Sequence, residues 1–98
     1  MTKGIYTQVQ SNYKLIDIIE FLHQQTAPVS GAQVSRALDI PHGTVMSHLQ
    51  TALERRWVRQ VGELYEAGPR ISGMYAVYLQ GLKDKKQSIE REITTLEV

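Results

Sequence analysis

The chain has 98 residues, a formal net charge of +1 at pH 7 and no cysteine. This length allows one domain with a modest core, and 42% apolar residues exclude a wholly disordered chain. The lack of cysteine excludes disulfides and thiol chemistry. No apolar run reaches the roughly 18 residues of a membrane span, and the N-terminus lacks a signal-peptide core. We therefore expect a soluble cytoplasmic protein.

The first helix is predicted to follow a flexible N-terminal arm. Residues 1–10 are mostly polar and form this arm. Ser11 is a suitable N-cap, because a serine hydroxyl can accept a free backbone N–H of the first turn. The helix then carries an apolar stripe that predicts a core-facing side, formed by Leu15, Ile18, Ile19 and Leu22.

Residues 30–58 predict a helix-turn-helix. Ser30 and Gln33 have the spacing of a capping box, which predicts that a helix begins there. Asp39 follows at the turn, where a short Asp side chain tolerates left-handed backbone geometry. Pro41 can start the next helix, because a proline in the first turn gives up an N–H that would lack a partner.

The second helix of this pair has two chemically distinct sides. Its core-facing residues recur at intervals of three and four: Val45, Leu49, Ala52 and Leu53. Short or polar side chains face elsewhere, so a nucleic-acid backbone could approach closely. A helix in this arrangement presents its outer face to the major groove of DNA. Many small helical pairs have one polar face without binding DNA, so periodicity alone leaves both interpretations open.

A β-hairpin is predicted directly after this helix. Two β-prone runs, residues 57–61 and 64–67, are separated by Gly62 and Glu63, which favours a type II′ turn with Gly62 at positive φ. Val29 is expected to form a single bridge to this hairpin. Such a hairpin is a wing, but Glu63 at its tip would be repelled by a minor groove. We therefore expect a short wing with a mainly structural role.

The last thirty residues predict a long helix with a dimerisation seam. Apolar residues step by four and three over about three heptads, which is typical of a coiled coil. Lys86 interrupts the seam, and such an interruption can set register or oligomeric state at a cost in stability. The alternative is that this helix folds back on its own domain. The seam consists of Tyr75, Leu79, Leu82, Lys86, Ile89, Ile93 and Leu96.

The charges that flank the seam favour an antiparallel homodimer. The first half of the helix carries Lys83, Lys85 and Lys86, whereas the second half carries Glu90, Glu92 and Glu97. Antiparallel pairing places lysines opposite glutamates. Parallel pairing instead brings Glu92 close to Glu97 of the other chain, although each exposed ion pair contributes only tenths of a kcal/mol.

No catalytic constellation is present in the sequence. His23, His42 and His48 lack the spacing of metal ligands, and no cluster of carboxylates could enclose a cation. There is no glycine-rich phosphate loop and no nucleophile elbow. We expect a protein that is not an enzyme, with no cofactor, no metal and no evident small-molecule effector.

Residues 13–73 resemble the winged-helix DNA-binding domain of IclR-type bacterial transcription regulators and, more loosely, that of MarR-type regulators. The resemblance is carried by YKLIDIIEFL, VSRALDIPHGTVMSHLQTALERRWV and LYEAGPRI. The chain departs from the family pattern at four positions. Ser35 stands where the family usually has Ala, and Asp39 stands where the turn often has Gly. Arg56 stands where Gly often ends the second helix of the pair, the recognition helix, and Ser47 stands where the family often has Arg. The large ligand-sensing domain of full-length regulators has no counterpart in these residues.

The resemblance implies that the second helix of the pair reads DNA. The residues expected to contact base edges are Thr44, Met46, Ser47 and Gln50. Phosphate contacts are expected from backbone N–H groups, hydroxyls and cations, namely Ser30, His42, Gly43, Arg55, Arg56 and Arg59. Four arginines against two carboxylates leave residues 30–61 with a charge of +2, which is modest for a DNA-binding surface.

The sequence thus predicts a mainly α winged helix-turn-helix with a small β-hairpin and a long C-terminal coiled-coil helix. Residues 1–10 form the arm, 11–68 the winged helix and 69–98 the dimerisation helix. The expected function is sequence-specific binding of double-stranded DNA as a homodimer on a two-part site, regulating transcription, with repression favoured. One alternative is a phage or plasmid accessory protein that marks a replication or partition site. Another is a winged-helix module that binds proteins.

Overall fold

A computed structural model describes residues 6–97 of the chain. It confirms the predicted fold class: a helix-turn-helix is followed by a two-stranded antiparallel hairpin and a long C-terminal helix. In chain order, the elements are α1 (Gln10–His23), α2 (Gly31–Leu38), α3 (His42–Glu54), β1 (Val58–Val61), β2 (Leu64–Ala67) and α4 (Pro69–Glu97).

Helix α1 begins one residue earlier than its predicted N-cap. Val9 occupies the N-cap position, and its carbonyl accepts the N–H groups of Asn12 at 3.0 Å and Tyr13 at 3.4 Å. The first turn therefore closes without a side-chain cap, and the prediction that Ser11 caps this helix was wrong. Residues 6–9 of the predicted arm are neither helix nor strand, and residues 1–5 lie outside the described part of the chain.

Local hydrogen bonds and one left-handed residue define the start of α2 and the turn between α2 and α3. Ser30 and Gln33 form the capping box: the Gln33 N–H donates to Ser30 Oγ at 3.1 Å, and the Ser30 N–H donates to Gln33 Oε1 at 2.7 Å. Asp39 ends α2 in the left-handed region with φ of 54°. The Ser35 hydroxyl then donates to the Ile40 carbonyl at 2.6 Å, so this departure from the family pattern closes the turn.

One apolar core joins the three short helices to the hairpin. It is centred on Ile18, Val34, Val45 and Leu49, which are fully buried. Partly buried side chains, Trp57 among them, pack around this core. The packing fixes the angle at which α2 presents α3 to solvent. Further buried members of the core are Leu22, Val29, Ile40, Ala52, Val58 and Tyr65.

The wing is a short hairpin with a third, minimal strand beside it. Val58 pairs with Ala67 and Val61 with Leu64, and Gly62 takes the positive φ of 62° that the turn requires. Val29 bridges to Tyr65 as predicted, with N–H to carbonyl distances of 2.9 and 2.7 Å.

Helix α4 extends away from this body. Between positions 69 and 97 no residue is buried, and only Ile71 and Leu79 are even half-buried. The apolar residues of the seam are therefore uncovered in the monomer, which contradicts the alternative that the helix folds back on its own domain. A helix of 29 residues is about 44 Å long, twice the shortest dimension of the molecule, 22 Å.

Candidate nucleic-acid interface

Helix α3 has an exposed side whose side chains are mostly small and uncharged. Val45, Leu49 and Ala52 anchor the helix in the core, and the positions on the opposite side are solvent-exposed. Because α2 lies against one flank of α3, the exposed side projects from the body as a ridge that can enter a groove. This recognition face consists of Gly43, Ser47, Gln50, Thr51 and Glu54.

Three of the four predicted base-reading residues lie on or beside the recognition face. Ser47 and Gln50 are exposed near its centre, and Thr44 is half-buried at its edge. Met46 is placed elsewhere. It packs against the core, and its sulfur lies so close to Gly31 of α2 that a methyl group on Gly31 would overlap it. The thioether thus seals the contact between α2 and α3 and points away from the recognition face.

Glu54 is the residue on this face that the sequence reasoning missed. It lies four residues after Gln50 and seven after Ser47, so it shares their side of α3, and it is exposed. A carboxylate here repels the phosphates on either side of a major groove. The same periodicity that identified the core positions could have placed Glu54, which had been counted only in the net charge.

The N-termini of α2 and α3 lie side by side. A methyl group placed on Gly31 would be 3.6 Å from His42 Nε2, so the His42 imidazole sits at the start of α2, next to Ser30. Gly43 is exposed and adds no side chain that would hold a phosphate away from the backbone N–H groups. Free N–H groups at helix N-termini attract anions. The structure therefore brings Ser30, His42 and Gly43 together.

The three arginines of the predicted phosphate contacts do not form one patch. Arg55 lines a shallow groove with Leu15 and Ile16 of α1, beside Trp57. Arg56 lines a different concavity with the first turns of α4. The positive charge at the end of α3 is thus spread over separate surfaces and lies about 18 Å along the helix axis from His42.

The Arg59 side chain forms an ion pair within the wing. Its Nε donates to Glu66 Oε2 at 2.8 Å across the hairpin, and the pair adjoins the loop between α1 and α2. Within residues 6–97 this is the one salt bridge. A phosphate would have to compete with Glu66 for this guanidinium.

The wing itself offers little to a phosphate backbone. Its tip carries Glu63 between exposed Val61 and Leu64. Tyr65, whose hydroxyl could have reached a phosphate from the second wing strand, is only 7% exposed because its ring belongs to the core. These positions agree with a mainly structural wing.

The described residues hold no grouping of three His, Asp or Glu side chains that could bind a metal ion. In the same part of the chain, every helix is too short or too polar to cross a bilayer.

Comparison with known proteins identifies the family to which this chain belongs. The family model of the IclR helix-turn-helix domain matches residues 13–62, which is half of the chain. The match runs from α1 to the tip of the wing and includes the recognition face. Among curated protein sequences, none matches this chain.

Two solved structures share the fold at low sequence identity. An IclR family transcriptional regulator from Brucella abortus superposes with a TM-score of 0.66 at 15% identity, over 83% of this chain and 33% of that chain. The repressor BlcR of Agobacterium tumefaciens gives a TM-score of 0.63 at 18% identity, over 74% of this chain and 29% of that chain. This chain therefore spans about a third of the length of the regulators that it matches.

Proposed function

Because this chain belongs to the IclR helix-turn-helix family, we propose that it binds double-stranded DNA in a sequence-specific manner and regulates transcription. The observation that carries this proposal is the recognition face: an exposed, nearly uncharged ridge on α3, anchored by α2 as in a helix-turn-helix. In this proposal Thr44, Ser47 and Gln50 contact base edges. Met46, which packs against α2, is left out of the set.

The proposed phosphate contacts centre on the paired N-termini of α2 and α3. Ser30, His42 and Gly43 lie together there, and the helix dipoles add partial positive charge. Arg55, Arg56 and Arg59 remain candidates for phosphate contacts. Since they face separate surfaces, their contributions would have to be measured one residue at a time.

We propose that the active form is a homodimer joined through α4. Its uncovered apolar residues support this, because a helix that buries none of its residues on its own body needs another surface to cover them. Two winged helices on one dimer would bind a two-part site whose halves are related by two-fold symmetry. Occupying such a site can block transcription, and one of the similar structures is a repressor. We therefore favour repression; a phage or plasmid replication or partition role would use the same site chemistry.

A protein-binding module is the second candidate function. Glu54 on the recognition face and Glu63 at the wing tip favour it, because both carboxylates oppose a phosphate backbone. The two functions differ in their response to salt. DNA binding weakens steeply as ionic strength rises, because bound phosphates release counterions, whereas an apolar protein interface does not.

Selection of bound duplexes from a random DNA pool, with titrations at two salt concentrations, tests the proposed function. A recovered motif with two-fold symmetry and an affinity that falls with salt would support a dimeric operator-binding protein. A pool without enrichment, and DNA binding that is absent or equal for all sequences, would contradict it and favour the protein-binding module.

A further inference from the structure

Helix α4 carries a continuous apolar face that its own chain leaves open. Leu82 is 42% exposed, Ile89 57% and Ile93 49%, although all three lie on one side of the helix. Four of the charged residues beside this face follow a simple order, lysines first and glutamates second. They are Lys83, Lys85, Glu90 and Glu92, and all are exposed.

We propose that this face binds the same face of a second copy in antiparallel orientation, in the register that places Leu82 opposite the partner's Ile93. The inference rests on the homodimer proposed above and specifies its geometry. In this register Leu79 meets the partner's Leu96, and Lys86 meets the partner's Ile89. The aliphatic stem of Lys86 packs on the isoleucine while its ammonium group reaches solvent.

The flanking charges are complementary in this register. In an antiparallel coiled coil, each flank of the seam faces the same flank of the partner. Lys83 then lies across from the partner's Glu90, and Lys85 from the partner's Glu92. Two-fold symmetry doubles each contact, giving four attractive pairs. None of the four residues forms a salt bridge within the described part of its own chain, so all remain available.

Neighbouring registers lack this complementarity. A shift by one heptad in one direction places Lys83 and Lys85 opposite their own copies in the partner. A shift by one heptad in the other direction places Glu90 and Glu92 opposite their own copies and retains only Lys83 with the partner's Glu97 as an attractive pair. Parallel pairing retains Lys85 with the partner's Glu90 but brings Glu92 against the partner's Glu97. Each of these alternatives therefore contains like-charge pairs that the proposed register lacks.

This arrangement separates the two winged helices. Pro69, where α4 begins, lies 18 to 19 residues from the midpoint of the overlap, so the two starts are about 55 Å apart. The two recognition faces therefore lie at opposite ends of a rod. They fit half-sites that are farther apart than one turn of DNA, about 34 Å.

Charge reversal at Glu92 distinguishes the two orientations. In the antiparallel register Glu92→Lys places lysine against the partner's Lys85, and we expect the dimer dissociation constant to rise by roughly ten-fold. In a parallel coil the same change would replace the Glu92–Glu97 repulsion with an attraction and tighten the dimer. Sedimentation equilibrium of the full chain without DNA measures the dissociation constants.

A double variant, Lys85→Glu with Glu92→Lys, tests the pairing itself. In the antiparallel register it restores both exchanged pairs, so its dimer should be tighter than that of Glu92→Lys alone. In a parallel coil the new carboxylate at position 85 would face the partner's Glu90, and the double variant would be weaker than the single one. The matched control is Glu97→Lys, which faces no charge in the antiparallel register and should leave the dissociation constant within about two-fold.

Cysteine cross-linking gives an independent readout of the register. Chains with Leu82→Cys and chains with Ile93→Cys, mixed and oxidised, should form a disulfide-linked heterodimer. Leu82→Cys alone should not cross-link, because its two copies lie about 16 Å apart along the axis.

The outcomes separate this inference from the proposed function. Tightening by Glu92→Lys, or efficient cross-linking of Leu82→Cys with itself, would overturn the antiparallel register while leaving the DNA-binding dimer in place. A wild-type chain that stays monomeric at high concentration would overturn the dimer altogether.

Discussion

Within residues 6–97, two non-glycine residues adopt left-handed backbone conformations that usually favour glycine. Their side chains differ in how well they tolerate this conformation. Asp39 ends α2 at φ of 54°, and Arg56 ends α3 at φ of 63°. A short Asp side chain tolerates this region, whereas a long side chain brings its Cβ close to the following carbonyl. At the end of α3 the Arg56 N–H donates to the Leu53 carbonyl at 3.1 Å and the Trp57 N–H to the Ala52 carbonyl at 2.9 Å. These two hydrogen bonds hold Arg56 in its strained left-handed conformation.

Replacing Arg56 with glycine should therefore stabilise the winged helix. Relief of the left-handed strain is worth about 1 kcal/mol, which exceeds the contribution of an exposed arginine side chain. The neighbouring change Arg55→Gly is the control, because Arg55 has φ of −95° and gains nothing from glycine. Urea unfolding of both variants measures the difference. A loss of stability in Arg56→Gly would show that the Arg56 side chain contributes more than its backbone strain costs.

Gly68 is required by close packing at the base of the wing. A methyl group there would lie 2.9 Å from the Trp57 carbonyl carbon and from the Val58 nitrogen, and closer still to the Arg56 carbonyl oxygen. Because these are backbone atoms, Gly68→Ala should cost about 2 kcal/mol of unfolding free energy. Gly73→Ala, in open space on α4, should instead stabilise its helix by roughly 0.5–1 kcal/mol. Thermal unfolding of the two variants tests whether Gly68→Ala destabilises the protein and whether Gly73→Ala stabilises it. Equal changes in the two melting temperatures would contradict the packing argument.

At the scale of elements, the helix-turn-helix was predictable because local chemistry determines where its helices begin and end. The capping box at Ser30 and the left-handed Asp39 follow from short-range geometry, and the structure confirms both. The start of α1 was not predictable in this way. Backbone hydrogen bonds to Val9 replace a side-chain cap there, and the sequence contains no marker for them.

On α3, Gln50 should carry sequence specificity. Its amide can form two hydrogen bonds with one base, so Gln50→Ala should weaken binding to the selected site by about 1–3 kcal/mol while binding to random DNA changes little. Gln87→Ala on exposed α4 is the matched control and should leave both affinities unchanged. Competition titrations with the selected and random duplexes give the two affinities. Equal losses on both would refute a base contact.

Glu54 should oppose DNA of every sequence. Removing its charge with Glu54→Gln should raise the affinity for selected and random duplexes alike by roughly three- to ten-fold at low salt, and the gain should shrink as salt screens the repulsion. Glu20→Gln removes the same charge from α1 and serves as the control. If Glu54→Gln leaves DNA affinity unchanged at every salt concentration, the recognition face is not adjacent to phosphates.

At the scale of the whole molecule, the seam of α4 and the arginines that follow α3 differ in how their spacing in sequence translates into positions in space. The arginines that cluster in sequence at positions 55–59 separate onto different surfaces, because the chain turns sharply between α3 and β1. The seam of α4 keeps the same spacing in sequence and in space, since a single straight element carries it. Linear spacing is therefore a good guide to the apolar face of α4 and a poor one to the placement of the arginines.

We expect Lys86 to lower the stability of the dimer while restricting it to one orientation. Lys86→Leu completes the apolar seam, so the dimer should dissociate at lower concentration than the wild type and unfold at a higher temperature. The same change removes a polar group that helps to set the register, so a mixture of orientations should appear in cysteine cross-linking. Gln87→Leu, outside the seam, should have neither effect. A weaker dimer in Lys86→Leu would show that the ammonium group has a specific partner across the interface.

The sequence by itself determined which elements form, where most of them begin and end, and that one helix carries an apolar seam. These properties depend on periodicity, capping and turn chemistry, which act over a few residues. Only the tertiary structure decided which positions beside the core side of α3 are covered by a neighbouring helix, and hence that Met46 seals α2 to α3 while the recognition face stays exposed. It also paired Arg59 with Glu66 and placed His42 at the start of α2. Such placements depend on how packed elements cross, which no short-range pattern specifies.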